Sequence, residues 1–146
     1  LAHIGKYGTN VHVQQDEVFE YFLSILQTAI DLRDEQNTNL SSKTLKKALA
    51  YIDEHYTSEN LSLGTVACEV QVGANYLSSV FSQNMQKTFT EYISEKRMEK
   101  AKKLLKSTEL PTSEIAAQVG YKDPHYFSFV FKKTQGCSPR EYRSSI

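Results

Sequence analysis

Nearly the same six residues occur twice in this chain, as YLSSVF starting at Tyr76 and as YFSFVF starting at Tyr126. Downstream, a shift of fifty positions pairs Thr88 with Ser138, Glu91 with Glu141 and Tyr92 with Tyr142. Upstream, a shift of forty-nine pairs Val66, Ala67 and Val70 with Ile115, Ala116 and Val119, so the second copy has one inserted residue. A turn tolerates such an insertion and a helix does not. Each copy is therefore predicted to be a helix, a short turn and a second helix.

Turn and cap residues delimit these predicted helices. Gly120 follows the apolar run of the second copy, where a residue with positive φ can end a helix. Asp123 then offers an N-cap acceptor, and Pro124 suits the first helical position because no N–H is needed there. These signals predict a helix from about Pro124 to Thr134. In the first copy Gly73 takes the cap position, which is a weaker choice.

A capping-box pattern follows each copy, as Thr88-x-x-Glu91 and Ser138-x-x-Glu141. In this pattern the hydroxyl and the carboxylate bond to backbone N–H groups that the first helical turn leaves unpaired. A further helix is therefore expected after each copy.

Helical spacing of apolar residues predicts the other elements. Between the copies the pattern ends near Thr108, before Pro111, and gives a helix of about 20 residues, or about 30 Å; it runs through Phe89, Tyr92, Ile93, Met98, Ala101, Leu104 and Leu105. Before the first copy a second amphipathic pattern runs through Leu45, Leu49, Ile52 and Tyr56. The predicted fold is all-α, with about seven helices: two helix-turn-helix subdomains joined by a long linker helix and preceded by an extra N-terminal helix.

The extra helix is predicted from two apolar stripes between Asp16 and Arg33. Their members are Val18, Phe22, Ile25, Ala29 and Leu32 in one stripe, and Phe19, Leu23, Leu26 and Ile30 in the other. A helix so broadly apolar must be covered in the whole protein. Three heptads are too few to define a coiled coil. Two interpretations stay open: the remnant of an upstream regulatory domain, and a homodimer contact.

Charge is unevenly distributed along the chain, although the formal net charge is zero. Residues 1–41 carry two basic and six acidic side chains, a net −4, whereas the remaining residues carry fifteen basic and eleven acidic ones, a net +4. A basic second part indicates an anionic partner for that part. The alternative is a solvated surface with a chance asymmetry.

Several functions are disfavoured by what the sequence lacks. No apolar stretch approaches the roughly 20 residues of a membrane span. Cys68 and Cys137 have neither a second pair nor clustered histidines with which to form a zinc site, and both are expected to be reduced thiols. The chain has no phosphate-binding loop and no nucleophile beside a base. The sequence therefore predicts no enzyme, no cofactor, no metal and no membrane partner.

The predicted linker length suits duplex DNA. Successive major-groove faces of B-DNA recur every ~34–36 Å, close to the length expected for the linker helix. One chain would then insert a recognition helix into each of two adjacent grooves. A helical scaffold built from a duplicated helix pair explains the repeat equally well, so the geometry alone leaves both functions open.

The residues of both copies resemble a known family. The run IAAQVGYKDPHYFSFVFKKTQGCSPREYR, from Ile115 to Arg143, is similar to the second helix-turn-helix signature of the AraC/XylS transcription regulators. LSLGTVACEVQVGANYLSSVF and YISEKRMEKAKKLL resemble the first helix-turn-helix of that family and its linker helix. The resemblance extends from roughly Ser42 to Arg143.

The resemblance implies an AraC-type DNA-binding domain over residues 42–146, after an acidic helical segment over residues 1–41. The expected elements are a first helix-turn-helix at about 61–85, a linker helix at about 89–108, a second helix-turn-helix at about 112–134 and a C-terminal helix at about 139–145. The implied function is a bacterial, cytoplasmic transcription activator, with double-stranded DNA and RNA polymerase as partners. The alternative is a protein-binding helical module that keeps the fold but has lost specific DNA binding.

The outward face of the second helix in each copy supplies the candidate base contacts. These faces hold Asn75, Ser78, Ser79 and Ser82 in the first copy, and His125, Ser128, Phe129 and Lys132 in the second. The resemblance places base contacts at Asn75, Ser78 and Ser79, and at His125, Ser128 and Phe129. Several family members carry arginine where Ser79 and Phe129 stand. Because arginine is the commonest side chain to recognise guanine, this departure predicts less guanine-directed recognition, with Phe129 limited to apolar groups such as a thymine methyl.

Phosphate contacts are expected from Lys87, Lys132 and Lys133, and from free N–H groups near Thr88 and Ser138. The alternative for Asn75, the serines and the lysines is a solvated surface, and for His125 it is a capping or merely exposed role. For Phe129 the alternative is a structural role or contact with a partner protein.

Two further residues are expected to act structurally. Arg97 resembles a structural arginine of the family, and an internal ion pair with Glu114 or Asp123 is predicted for it. Gln86 stands where the family usually has glycine and where the second copy has Gly136, which predicts a less tight turn after the first recognition helix.

Overall fold

The computed structural model describes the backbone of residues 10–145 and the side chains of residues 18–145. Within this part of the chain there are seven helices and no strand. They are α1 (Asn10–His55), α2 (Leu63–Glu69), α3 (Ala74–Met85), α4 (Phe89–Ser107), α5 (Thr112–Gln118), α6 (Pro124–Gln135) and α7 (Pro139–Ser144). Helices α2 and α3 form the first helix-turn-helix, α5 and α6 form the second, and α4 joins them. The predicted all-α fold is confirmed.

Helix α1 is longer than either N-terminal helix predicted from the sequence, because the two predicted helices form one element. The residues between Arg33 and Leu45 include weak helix formers but neither glycine nor proline, so nothing there terminates a helix. The chain divides into two compact segments between Ser42 and Lys43, inside α1. We refer to them as the N-terminal and C-terminal segments.

The described side chains of the N-terminal segment, those of residues 18–42, include an exposed set of large apolar groups. The large apolar residues that are 44–66% exposed are Val18, Phe19, Tyr21, Phe22, Leu23, Ile25, Leu26, Ile30, Leu32 and Leu40. They include all large members of the two predicted stripes. A surface of this kind in a folded protein marks a contact with another element or chain.

The C-terminal segment has two hydrophobic cores that share α4. The first core lies between the end of α1, both helices of the first helix-turn-helix and the start of α4; its buried members are Ala48, Ile52, Val66, Ala67, Leu77, Phe81 and Ile93. The ring of Phe81 meets Phe89 and Tyr92 edge-on, with centroids 5.9 and 5.3 Å apart. These contacts fix α3 against α4.

The second core uses the other half of α4. Its buried members are Met98, Ala101, Leu105, Ile115, Ala116, Val119, Tyr121, Phe127 and Phe131. Phe131 packs edge-on against Tyr142 of α7 at 5.5 Å. Both helix-turn-helix pairs thus pack against α4, one near each of its ends.

Both predicted capping boxes are present. The hydroxyl oxygens of Thr88 and Ser138 each accept from the backbone N–H three residues later, at 3.2 Å. In return, the carboxylates of Glu91 and Glu141 accept from the N-cap N–H groups at 2.8 and 2.7 Å. These hydrogen bonds lower the pKa of both carboxyl groups, because the ionised form is the better acceptor.

A third capping box begins α2 and was not predicted. Ser62 Oγ accepts from the N–H of Thr65 at 3.2 Å, and Thr65 Oγ1 accepts from the N–H of Ser62 at 3.0 Å. The usual capping-box pattern has a glutamate or glutamine at the third helical position. Because threonine stands there, the sequence from Ser62 to Thr65 does not match the pattern.

The helix boundaries of the second helix-turn-helix follow the predicted signals. Asp123 Oδ1 accepts from the N–H of His125 at 2.8 Å, and Pro124 is the first residue of α6. Gly120 has a φ of 97°, in the left-handed region. A Cβ at Gly120 would lie 2.9 Å from the carbonyl oxygen of Thr57, so glycine is required for close packing as well as for backbone conformation.

The prediction of a looser turn at Gln86 was wrong. Gln86 adopts φ 54° and Gly136 adopts φ 81°, so both helices end with a left-handed residue. The N–H of Gln86 donates to the carbonyl oxygen of Ser82 at 3.0 Å, and that of Gly136 donates to Lys132 at 2.9 Å. The glutamine therefore accepts backbone strain in order to make the same turn.

Arg97 is structural, as expected, but its predicted partners were wrong. Its Nε donates to the carbonyl oxygen of Tyr56 at 2.7 Å, and one terminal nitrogen donates to that of Ser58 at 2.8 Å. The guanidinium also lies 5.3 Å from the centre of the Tyr121 ring. Burial lowers the pKa of Arg97, yet backbone carbonyls and a ring face stabilise the cation without a carboxylate. Arg97 thereby connects the loop after α1 with the second helix-turn-helix.

Candidate nucleic-acid interface

The outward faces of α3 and α6 carry the residues predicted for DNA contact. In α3 the buried residues are Leu77, Val80 and Phe81, which turns the opposite face to solvent. The predicted residues on that face are all exposed: Asn75, Ser78, Ser79 and Ser82. In α6 Phe127 and Phe131 are buried. Of the residues predicted on its outward face, Ser128 is half-buried and the others are exposed: His125, Phe129, Lys132 and Lys133.

The α3 face is polar and uncharged. Ser79 Oγ donates to the carbonyl oxygen of Asn75 at 3.1 Å, so this hydroxyl is directed along its own helix. The side-chain amide of Asn75 remains on the exposed face. An asparagine amide can bond bidentately to adenine in the major groove. Asn75 is accordingly the strongest hydrogen-bonding group available on this face.

The first turns of α6 are organised by its N-cap. Asp123 Oδ1 accepts from the backbone N–H of His125, and the His125 side chain in the first turn of the helix is exposed. Ser128 Oγ donates to the carbonyl oxygen of Pro124 at 2.9 Å, which occupies its hydrogen. Within α6 itself, the first exposed polar side chain is therefore the His125 ring.

An exposed aromatic pair distinguishes α6 from α3. Phe129 is 62% exposed and Tyr126 is 57% exposed. Their rings stack with centroids 6.4 Å apart and an interplanar angle of 25°. Tyr126 also contacts the buried Tyr121 at 6.1 Å. Phe129 is among the residues predicted for DNA contact and Tyr126 is not, although the position of Tyr126 three residues earlier on the same helix was a signal for it.

The lysines predicted to contact phosphate differ in their surroundings. Lys132 and Lys133 are exposed in the last turn of α6. Lys87 instead forms an ion pair with Glu95, with Nζ 2.6 Å from the carboxylate. An acidic neighbour at this distance offsets the attraction of Lys87 for a phosphate.

Thr88 and Ser138 are also less available than predicted. Their own N–H groups are bonded to Glu91 and Glu141 in the two capping boxes. The capping boxes use the N–H groups of the N-cap and of the third helical residue, which leaves the N–H groups between them as the ones a phosphate would bond to. The predicted phosphate contacts near Thr88 and Ser138 therefore stay predictions.

A cleft of about 740 Å³ lies between α2, the first half of α4 and α6. Tyr126 and Phe129 line one wall, and acidic residues of α4 line another: Glu91, Glu95 and Glu99. The acidic wall makes the interior of this cleft unfavourable for phosphate.

The described residues offer neither a metal site nor a membrane span. Residues 18–145 contain no cluster of histidine, cysteine or acidic side chains suited to a metal ion. None of the described helices has both the length and the apolar composition of a membrane span.

Comparison with known proteins identifies the family. A family profile described as a helix-turn-helix domain matches residues 66–145. The arabinose operon regulatory protein of Escherichia coli K12 is 34% identical over 100 residues, covering 68% of this chain and 34% of that protein. The transcriptional activator RhaR of Mannheimia succiniciproducens is 30% identical over 123 residues, covering 84% of this chain and 45% of that protein. The chain thus spans less than half the length of these relatives.

Solved structures show the same fold. The C-terminal domain of AraT, a response regulator from Geobacillus stearothermophilus, superposes with a TM-score of 0.69 at 43% identity, covering 70% of this chain and 85% of that one. The DNA-binding domain of AdpA, solved in complex with a target DNA, has a TM-score of 0.65 at 21% identity and covers 69% and 90%. The two helix-turn-helix pairs and these similarities define a regulator of the helix-turn-helix class. The chain belongs to the AraC/XylS family of transcription regulators.

Proposed function

We propose that residues 42–146 form a DNA-binding domain that inserts α3 and α6 into adjacent major grooves of one duplex. The observation that carries this proposal is the attachment of both helix-turn-helix pairs to α4 through separate cores. Helix α4 has 19 residues and is therefore about 28 Å long. This length is comparable to one turn of B-DNA, ~34–36 Å.

Base contacts are proposed from the exposed positions of the two recognition helices. The set is Asn75, Ser78, Ser79 and Ser82 on α3, and His125, Ser128 and Phe129 on α6. The helices of such motifs contact base edges mainly through their N-terminal residues, where Asn75 and His125 lie. Ser79 and Ser128 can still accept hydrogen bonds, although their hydrogens are used within the helix.

Phosphate contacts are assigned mainly to Lys132 and Lys133. These lysines are exposed, whereas Lys87 is paired with Glu95. The last turn of α3 holds no basic residue. The second helix-turn-helix is therefore expected to supply more of the phosphate-dependent affinity than the first.

Transcription activation and contact with RNA polymerase are proposed for the whole protein. The name of the relative RhaR, an activator, supports the first part. A reporter gene placed downstream of a DNA site that the protein binds tests the activator role. Its expression should be higher in the presence of the protein than in its absence. A fall in expression would assign repression instead.

The N-terminal segment is proposed to pack against an upstream regulatory domain, with a homodimer contact as the second candidate. The support is the set of ten exposed large apolar residues among its described positions 18–42, a surface that a folded protein normally covers. Sedimentation of residues 1–146 and of residues 43–146 separates the two candidates. A dimer that becomes a monomer after truncation would favour the homodimer, and a monomer in both cases would favour the upstream domain.

The central test is binding of residues 1–146 to duplexes selected from a random library, with affinity measured at several salt concentrations. The expected result is a preferred sequence and an affinity that falls steeply with salt, because bound lysines release counterions from the DNA. Failure to bind any duplex at low salt would overturn the proposal and favour the protein-binding helical module.

A further inference from the structure

The second recognition helix carries an apolar surface where a polar one would be expected. Phe129 is the sixth residue of α6, within the half of the helix that approaches base edges in a helix-turn-helix complex. Its phenyl ring has no hydrogen-bond donor or acceptor, and the hydroxyl hydrogen of neighbouring Ser128 is used within the helix. A base edge facing this position meets mainly hydrocarbon.

Only one kind of apolar group projects from base pairs into the major groove of DNA. It is the methyl group on C5 of a pyrimidine, which thymine carries and unmodified cytosine lacks. We propose that Phe129, supported by Tyr126, recognises a C5-methyl pyrimidine in the half-site bound by α6. This inference rests on the proposed DNA-binding function. Since 5-methylcytosine carries the same methyl group at the same position, binding responds to cytosine methylation there.

The ring of Phe129 is held in position before any DNA arrives. It stacks on Tyr126, and Tyr126 in turn contacts Tyr121, which is only 8% exposed. The hydroxyl of Tyr121 lies 3.4 Å from Ser94 Oγ on α4. This chain of contacts links the exposed ring to the second core. Ordering the ring in advance reduces the entropy lost on binding.

The first recognition helix has no equivalent surface. Ser79 is the residue of the first copy that is equivalent to Phe129, and its hydroxyl donates to a carbonyl oxygen of its own helix. Tyr76, the equivalent of Tyr126, is 40% exposed but has no phenyl ring three residues later. Methyl recognition is therefore confined to one of the two half-sites, which makes the other half-site an internal control.

The aromatic pair also borders the cleft lined by α4 glutamates. A basic peptide with an apolar side chain is the competing occupant, since its charge would complement Glu95 and Glu99. DNA is favoured because the rings are more than half exposed and lie on the recognition helix itself. The experiment below distinguishes the two, since a peptide site gives no dependence on a single DNA methyl group.

The experiment uses residues 1–146 and the duplex obtained by selection. Each thymine of the α6 half-site is replaced in turn by uracil, and at the responding position four pairs are compared: T·A, U·A, 5-methylcytosine·G and C·G. Removing the methyl should weaken binding about fourfold in each matched comparison, the effect of losing one buried methyl-sized group. Equivalent replacements in the α3 half-site should have no such effect.

Variants then assign the effect to the ring. In Phe129→Ala the ratio of the affinity for the methylated duplex to that for the unmethylated duplex should fall to one. Phe129→Leu keeps an apolar side chain and should retain part of this preference. Ser79→Ala is the matched control and should leave the ratio unchanged. A ratio of one in the unaltered protein at every position would overturn the inference while leaving DNA binding intact. Equal weakening of all four duplexes by Phe129→Ala would also overturn it, and no binding to any duplex would refute the proposed function itself.

Discussion

Gln86 and Gly136 occupy equivalent positions in the two copies, and each ends its recognition helix in the left-handed backbone region, at φ 54° and 81°. The preceding turns show the same asymmetry, with Gln71 at φ 59° where the second copy has Gly120 at 97°. A side chain with a Cβ costs about 1–2 kcal/mol in this region. The first helix-turn-helix therefore contains local strain that the second avoids.

Replacing Gln86 by glycine should relieve part of this strain. We expect Gln86→Gly to raise the free energy of unfolding by about 1 kcal/mol, since glycine adopts positive φ without a steric penalty. Chemical denaturation measures the change. Gln83→Gly, inside α3, is the control and should destabilise by about 1 kcal/mol. Loss of stability in both variants would show that the Gln86 side chain contributes more than its backbone costs.

Gly120 should be far less replaceable than Gly136. A Cβ at Gly120 would come within 2.9 Å of the Thr57 carbonyl oxygen and 3.0 Å of the Arg97 guanidinium, whereas one at Gly136 would meet nothing within 4 Å. We expect Gly120→Ala to destabilise by more than about 2 kcal/mol and Gly136→Ala by about 1 kcal/mol. Both have positive φ, so the difference in their thermal or chemical unfolding isolates the steric contact. Equal losses would contradict it.

Arg97 should contribute more to stability than an exposed arginine does. Arg97→Met removes the donors to the carbonyl oxygens of Tyr56 and Ser58, at an expected cost of about 2–3 kcal/mol. Arg140→Met, at an exposed position of α7, should change stability by less than about 0.5 kcal/mol. Urea unfolding of the two variants tests this. A small effect at Arg97 would mean that water replaces the guanidinium at both carbonyls.

The capping boxes predict how the free energy of unfolding falls at acidic pH. Because hydrogen bonds lower the pKa of Glu91 and Glu141 below their ordinary value of 4.5, their contribution is present above that pH and is lost as the pH falls through the lowered values. Glu91→Gln and Glu141→Gln should therefore weaken the dependence of unfolding free energy on pH below about 4.5. Glu109→Gln, outside any capping box, should leave it unchanged. If the variant carrying both Glu91→Gln and Glu141→Gln loses stability at acidic pH as the unaltered protein does, the capping boxes do not cause this pH dependence.

The lysines at the end of α6 should govern salt dependence without setting sequence preference. We expect Lys132→Ala with Lys133→Ala to weaken binding to all duplexes and to reduce the salt slope by up to about two units. Lys103→Ala, an exposed lysine on α4, is the control. His125→Ala should instead change the preference at one or two base pairs, by about 1–3 kcal/mol. Competition binding against a library of single-base variants separates the two behaviours.

Features encoded locally could be predicted from the sequence. The repeat located both helix-turn-helix pairs, and the Asp123-Pro124 start and two capping boxes are confirmed because each depends on residues within one turn of helix. The Ser62 box escaped prediction because threonine replaced the usual glutamate. The outward positions on α3 and α6 followed from the apolar spacing that fixes the inward ones.

Features that depend on distant parts of the chain were not predictable in detail. Arg97 donates hydrogen bonds to carbonyl groups about forty positions away. Because every residue has a backbone carbonyl, residue identity does not reveal which one accepts. The pairing of Lys87 with Glu95 likewise requires the angle between α3 and α4. The looser turn predicted at Gln86 is wrong because the missing glycine leaves the turn the same and raises its conformational cost.

Because α4 contributes residues to both cores, it is expected to hold α3 and α6 at a fixed separation in the proposed DNA complex. Inserting a base pair between two half-sites moves them apart by ~3.4 Å and rotates one relative to the other by about 35°. A helix of fixed length and twist cannot follow either change. Under the proposed insertion of α3 and α6 into adjacent grooves, the spacing between half-sites is therefore expected to be as much a part of the recognised sequence as the bases themselves, although no side chain contacts it.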